Sequence, residues 1–197
     1  MVLIAASTGM RRSEICGLKW RDLQFDKLWF ALQRGVVHNV RIPTKDRKIG
    51  QKKSRPSITK LKTAASRKGV PMTDDLAALL CTWRERTPYP TDDDRVFASP
   101  NENGRWPYNP SAALRFWVQS AAVDLGIEKR IGWHTFRHSV GTLLGQSGEN
   151  VKVVQELLRH ASSKVTQDVY QQADQSAKRE ALKRFSGLFI LPDTKSA

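Results

Sequence analysis

Apolar residues recur with helical spacing through most of the second half of this chain, and strand-like patterning is confined to short stretches of the first half. Ile15 and Leu18 share a face of a segment that opens with hydroxyl residues. A helix is therefore predicted from near Ser7 or Thr8, with Arg11 and Glu14 one turn apart on it. Between Leu28 and Ile42, the residues Trp29, Phe30, Val36, Val37 and Val40 predict two short strands, and Gly69-Val70-Pro71 predicts a third. Thr73-Asp74-Asp75 caps a helical pattern carrying Leu76, Leu79, Leu80 and Trp83, which the prolines between Thr87 and Asp94 end. A turn-rich connector runs to Pro110. Helical patterns resume over 111–125, 134–145, 150–160 and 163–172, separated by Gly126, Gly132 and Gly148.

The fold class that follows is α+β and mainly α-helical: a helical array with a small three-stranded antiparallel sheet. With 197 residues and 40% hydrophobic content, one domain can fill one core. Residues 1–174 are predicted to form that domain. The remainder, 175–197, reads as a C-terminal helical tail, basic and amphipathic, with Phe185, Leu188, Phe189 and Ile190 available to dock on another protomer.

Charge narrows the class of partner. Lys and Arg outnumber Asp and Glu by 33 to 19, a formal charge of +14, which favours a polyanion. The excess is concentrated in Lys45, Arg47, Lys48, Lys52, Lys53, Arg55, Lys60 and Lys62, opposed there only by Asp46, and the segment is predicted to be a basic loop feeding the third strand. Cys16 and Cys81 are the only cysteines, too few for a disulfide framework or a zinc ribbon, and no apolar run is long enough to span a bilayer. A cytoplasmic protein with no membrane association is the simplest expectation.

Cutting a phosphodiester without a metal requires a nucleophile, cations on the non-bridging oxygens and an acid for the departing oxygen. His134-Thr-Phe-Arg137-His138 places an imidazole and a guanidinium at i and i+3 on one helical face, where both can reach a phosphate. Thr8-Gly9-Met10-Arg11-Arg12-Ser13-Glu14, Lys62-Thr63 with Ser66-Arg67, His134-x-x-Arg137-His138, Leu158-Arg159-His160-Ala161-Ser162 and Tyr170 follow in order along the chain. In order and spacing this set resembles the signature of the tyrosine recombinase, or phage integrase, family over nearly the whole chain.

The resemblance implies an enzyme that breaks and rejoins double-stranded DNA with no cofactor and no metal. It implies that Arg11 and Arg137 clamp the scissile phosphate, that Glu14 supports Arg11, and that His134 and His160 hydrogen-bond the phosphate or assist proton movement. Lys62 would protonate the 5′ oxygen and Tyr170 would be the nucleophile. The basic residues Lys45, Arg47, Lys48, Lys52, Lys53, Arg55 and Lys60 would touch DNA. Relatives act as homotetramers on DNA, so a chain that is monomeric when free would assemble there, with the tail as exchange segment. The resemblance further implies a bacterial or phage-derived source. It also implies that the N-terminal DNA-clamping (core-binding) domain of such enzymes is absent from this chain, which leaves DNA binding weak in isolation.

Other classes fit less of the pattern. A zinc hydrolase could use His134 and His138 at i and i+4, but the Glu of that motif is missing and Arg137 stands between them. A type IB topoisomerase-like enzyme would share the Arg, Lys, His and Tyr set. A DNA-binding remnant of an integrase, catalytically weak, would keep the charge without needing Tyr170.

Overall fold

In the computed structural model, residues 1–41, 54–61, 68–101 and 103–159 are described. The predicted helix 163–172, the tail, and Lys45, Arg47, Lys48, Lys52, Lys53, Lys62, His160 and Tyr170 lie outside these residues. The described chain is a helical array beside a small antiparallel sheet, as the patterning predicts.

The opening segment departs from expectation. Instead of one helix starting near Ser7 or Thr8, helix α1 (Val2–Thr8) ends there and α2 (Arg12–Gly17) begins four residues later. The break is at Gly9, which takes the left-handed conformation (φ 63°) and donates its N–H to the Ala5 carbonyl. A Cβ at that position would stand 2.5 Å from Leu158 Cδ2, so glycine is needed both for the turn and for the close approach of a later helix.

The predicted three-stranded antiparallel sheet is present, with Val70–Pro71 as an edge strand, but one member was not foreseen. Strand β1 (Leu23–Gln24) pairs with β2 (Trp29–Phe30), which pairs with β5 (Val70–Pro71). The other predicted strand, β3 (Arg34–Arg41), leaves this sheet and pairs antiparallel with β4 (Ser54–Lys60). Part of the expected basic loop is thus a strand, favoured by the β-branched Ile58 and Thr59. Its Pro56 is tolerated because it sits at a register shift: Ser57 faces Val37 and Arg55 faces Val40, leaving His38 and Asn39 as a bulge where no ladder donor is missed. Asn39 adopts φ 62°, which an asparagine tolerates.

Helix α3 (Asp74–Arg86) starts at Thr73, whose hydroxyl accepts from the Leu76 N–H. The connector that follows is packed by its aromatic residues: Tyr89 lies against Gly104, and Tyr108 meets Trp117 edge to face. Helix α4 (Pro110–Ala113) continues through a π-turn (Leu114–Val118) into α5 (Gln119–Asp124), close to the predicted bounds. Helices α6 (Trp133–Gln146) and α7 (Val151–Leu158) complete the described array. No described helix is long and apolar enough to cross a membrane.

The main core joins α1, α2, the three-stranded sheet and α3 through Ile4, Met10, Ile15, Trp20, Phe30, Val70 and Leu80. A smaller cluster of Val140, Val154 and Leu158 holds α6 to α7. Gly9 lies at the seam, against both Leu158 and Val140. Gly9→Ala is predicted to destabilise the protein by about 1–3 kcal/mol through strain and overpacking. Gly126→Ala, at φ 68° with open space around it, should carry the backbone strain alone. Urea unfolding of the two variants checks this, and equal losses would remove the close approach from the explanation.

Candidate active site

Three segments distant in sequence deliver charged groups to that seam. Arg11 sits at the N-terminus of α2, where its backbone N–H donates to Glu14 Oε2 at 2.8 Å and its Nη1 to Glu14 Oε1 at 2.9 Å. Glu14 in the first turn of α2 is thereby fixed against the end of its own helix, where a carboxylate is favoured. It is 1% exposed.

Arg137 comes from α6. That helix is pinned at its start by Trp133, whose indole N–H donates to the Pro110 carbonyl at 2.9 Å, and by Thr135, whose hydroxyl accepts from the Gly132 N–H. One turn in, Arg137 Nη1 donates to the Gly9 carbonyl at 2.6 Å and Nη2 to the Leu158 carbonyl. The break after α1 and the end of α7 therefore both present carbonyls to one guanidinium. His134 and His138 lie on the same helix and are exposed. Among the described residues no three potential metal ligands converge.

The third contributor was not singled out from the sequence. Arg159, just past α7, is 2% exposed, and its Nη2 donates to Glu14 Oε2 at 2.6 Å. Its own carbonyl accepts from Arg11 Nη2 at 3.0 Å. Arg159 has φ 53°, the left-handed conformation in which helices usually end on glycine. A charged residue at such a cap was the available signal.

Arg11, Glu14 and Arg137, three of the residues expected from the sequence, are thus brought together. Arg55 and Lys60 are elsewhere, exposed on β4. Three guanidiniums face one carboxylate, which leaves two positive charges uncompensated among these four side chains. Burial, then the neighbouring Arg11 and Arg159, lowers the Arg137 pKa to about 10, with Glu14 opposing the change. Burial likewise lowers that of Arg159, although Glu14 works against it. The cluster is therefore electrically unsatisfied and suited to an oxyanion. Arg11, with its side chain 34% exposed, is the cluster member most open to solvent.

The β3–β4 hairpin is tied to α2 by a second buried pair. Arg34 Nη1 donates to Asp22 Oδ2 at 2.6 Å and to the Gly17 carbonyl at 3.3 Å. Asp22, 1% exposed, also accepts from the Lys19 N–H. A Cβ on Gly17 would collide with the Arg34 carbonyl, so helix and hairpin touch backbone to backbone.

Residues 1–177 match the model of the phage integrase family. The chain is similar to a tyrosine recombinase XerC-like protein of Caldanaerobacter subterraneus subsp. tengcongensis, 28% identical over 96% of this chain and 49% of that protein. It is also similar to tyrosine recombinase XerA of Pyrococcus furiosus, 28% identical over 93% of this chain and 53% of that protein. The chain spans about half the length of these curated relatives. Among solved structures, XerA recombinase superposes with TM-score 0.57 at 25% identity, covering 92% of this chain and 54% of that one. The Tn1549 transposon integrase, solved with circular intermediate DNA, superposes with TM-score 0.69 over 93% of this chain and 58% of that one. At 20% identity that likeness speaks for the fold alone.

The lowered Arg137 pKa has a signed consequence. At neutral pH the folded state carries the cost of a buried cation, and stability from this group rises only as pH climbs through about 10 toward the unfolded value. An oxyanion bound at the cluster relieves that cost without a pH change. Sulfate is predicted to stabilise the protein beyond sodium chloride of equal ionic strength by about 1 kcal/mol, or roughly 2–4 °C in Tm for a chain of this size. General salting effects are shared by Arg11→Ala. The sulfate-specific increment should disappear in that variant, and its persistence would place the anion elsewhere.

Proposed function

Because the chain belongs to the phage integrase family, we propose that it is the catalytic domain of a site-specific recombinase that cuts and rejoins double-stranded DNA through a 3′-phosphotyrosine link. The observation that carries this reading is the meeting of Arg11, Glu14 and Arg137 in one cation-rich cluster. Guanidiniums already fixed by backbone carbonyls need little reorganisation as charge builds on the phosphate oxygens, which is the main requirement for stabilising such a transition state. The relatives named above are recombinases, which favours recombination over a type IB topoisomerase outcome.

In the proposed reaction the Tyr170 oxygen attacks the scissile phosphorus and the bond to the 5′ oxygen breaks. Lys62 supplies the proton that turns the departing oxygen into a hydroxyl, while His134 and His160 hydrogen-bond the phosphate or carry the tyrosine proton. The 5′ hydroxyl of a second strand then attacks the phosphotyrosine, and tyrosine leaves. One phosphodiester is formed for each one broken, so the sequence needs no nucleotide energy source. The guanidiniums supply the charge stabilisation, and neither cofactor nor metal enters the scheme.

DNA contact is assigned to Arg55 and Lys60 on the hairpin, together with Lys45, Arg47, Lys48, Lys52 and Lys53. Assembly is proposed to be a homotetramer on DNA from protomers that are single when free, with 175–190 as the exchanged segment, in the cytoplasm of a bacterial host. The phage or mobile-element role follows the family.

Two measurements test this reading. Nicked duplexes drawn from the DNA flanking its own gene, incubated with the protein, should yield an adduct that resists SDS and is removed by protease, and Tyr170→Phe should yield none. An adduct that survives this substitution, or supercoil relaxation without strand exchange, contradicts the proposal. For binding, Lys60→Gln should lower affinity uniformly across sequences and reduce the slope of log K against log salt by about 1. An unchanged slope removes Lys60 from the interface.

A further inference from the structure

Arg159 has no role assigned from the sequence motifs, yet it bonds both Glu14 and Arg11. Its guanidinium takes one Glu14 oxygen, Oε2, which the Arg11 backbone N–H shares, while the Arg11 guanidinium takes the other, Oε1. Its carbonyl receives Arg11, and the carbonyl just before it receives Arg137. It does this from a left-handed backbone that costs an L-residue about 1–2 kcal/mol and that glycine would adopt freely. Its Nε and Nη1 are buried without hydrogen-bond partners among the described residues. A glycine cap would remove the backbone strain and the unpaired donors, so what the arginine adds at this position is its bond to Glu14.

We propose that Arg159 is a positioning residue for the oxyanion site: it divides Glu14 between two guanidiniums, and so leaves Arg11 only partly neutralised and aimed by the Arg159 carbonyl. Without the Arg159 guanidinium, Glu14 Oε2 keeps only the Arg11 backbone N–H and becomes open to the Arg11 side chain as well, so that both carboxylate oxygens can pair with that guanidinium. Arg11 would then be turned onto Glu14 and its charge cancelled. The cluster would also drop from two uncompensated positive charges to one. Arg159 is buried and itself touches no substrate; it acts through Arg11 and Glu14. The inference rests on the reading that Arg11 and Arg137 receive a phosphate oxygen.

The test uses the full 197-residue chain with Arg159→Gly, Arg159→Gln and Arg159→Lys. The apparent dissociation constant for sulfate is read from thermal shifts at constant ionic strength, and the rate of Tyr170-dependent adduct formation is read on the nicked duplex. Arg159→Gly and Arg159→Gln should each weaken sulfate roughly tenfold or more, as loss of a nearby charge in a partly buried site requires. Adduct formation should slow on the order of 100-fold, the effect expected of a misdirected catalytic group. Arg159→Lys, which keeps the charge and one bond to Glu14, should recover most of the sulfate affinity.

A purely structural residue would behave differently: its variants would lower Tm in the absence of sulfate and leave the sulfate constant unchanged. That outcome overturns the proposal, as does Arg159→Lys behaving like Arg159→Gln. If Arg159→Gly does not fold, the comparison of Lys with Gln decides alone. Failure of the unaltered protein to form any adduct would count against the recombinase reading, whereas the sulfate constants still decide the role of Arg159.

Discussion

A carboxylate held at 1% exposure cannot keep its charge in a protein interior without partners, and Glu14 has two, Arg11 and Arg159, drawn from opposite ends of the described chain. Most of the site's geometry descends from that constraint. Satisfying Glu14 brings the start of α2 against the end of α7, and this contact carries the Leu158 carbonyl to Arg137 and the Arg159 carbonyl to Arg11. Burying ion pairs is an inefficient route to stability. What it supplies is a single arrangement, because misplacing any member of the pair strands a buried charge.

The same device recurs on the other side of α2, where Asp22 and Arg34 anchor the β3–β4 hairpin. Along the chain, α2 thus carries one of these carboxylates in its first turn and is followed by the other, Asp22, five residues past its end. A surface that carries exposed Arg55 and Lys60 is in this way fixed relative to Arg11 through rigid backbone contacts at Gly17 and Gly35. In the proposed reaction this matters: cations assigned to the strand and cations assigned to one phosphate must keep a constant separation.

Much of this could be read from the residues in order. Thr73 announced its helix, Trp133 to Gln146 carried its helical period, and Arg11, Glu14 and Arg137, named as candidates from local spacing and family pattern, lie near one another. The misreadings share one physical cause, which is that a segment elsewhere in the chain decided the local structure. Gly9 breaks the first helix because α7 has to pass beside it. Ser54–Lys60 is a strand because Arg34–Arg41 offers it a ladder, although its charge and proline suggested a loop. Arg159 was hidden for the same reason: nothing local marks an arginine as the partner of a glutamate 145 residues earlier.

The central claim is that Glu14 organises the cluster, and unfolding of Glu14→Gln by urea tests it most directly. Loss of the one carboxylate leaves two buried guanidiniums and the partly exposed Arg11 with no compensating charge among these four side chains. The account predicts a loss of about 3–5 kcal/mol, the range for breaking a buried ion pair from one side, with the denaturant slope unchanged. A variant as stable as the original would show that the cations do not depend on Glu14, and the account would fail at its foundation.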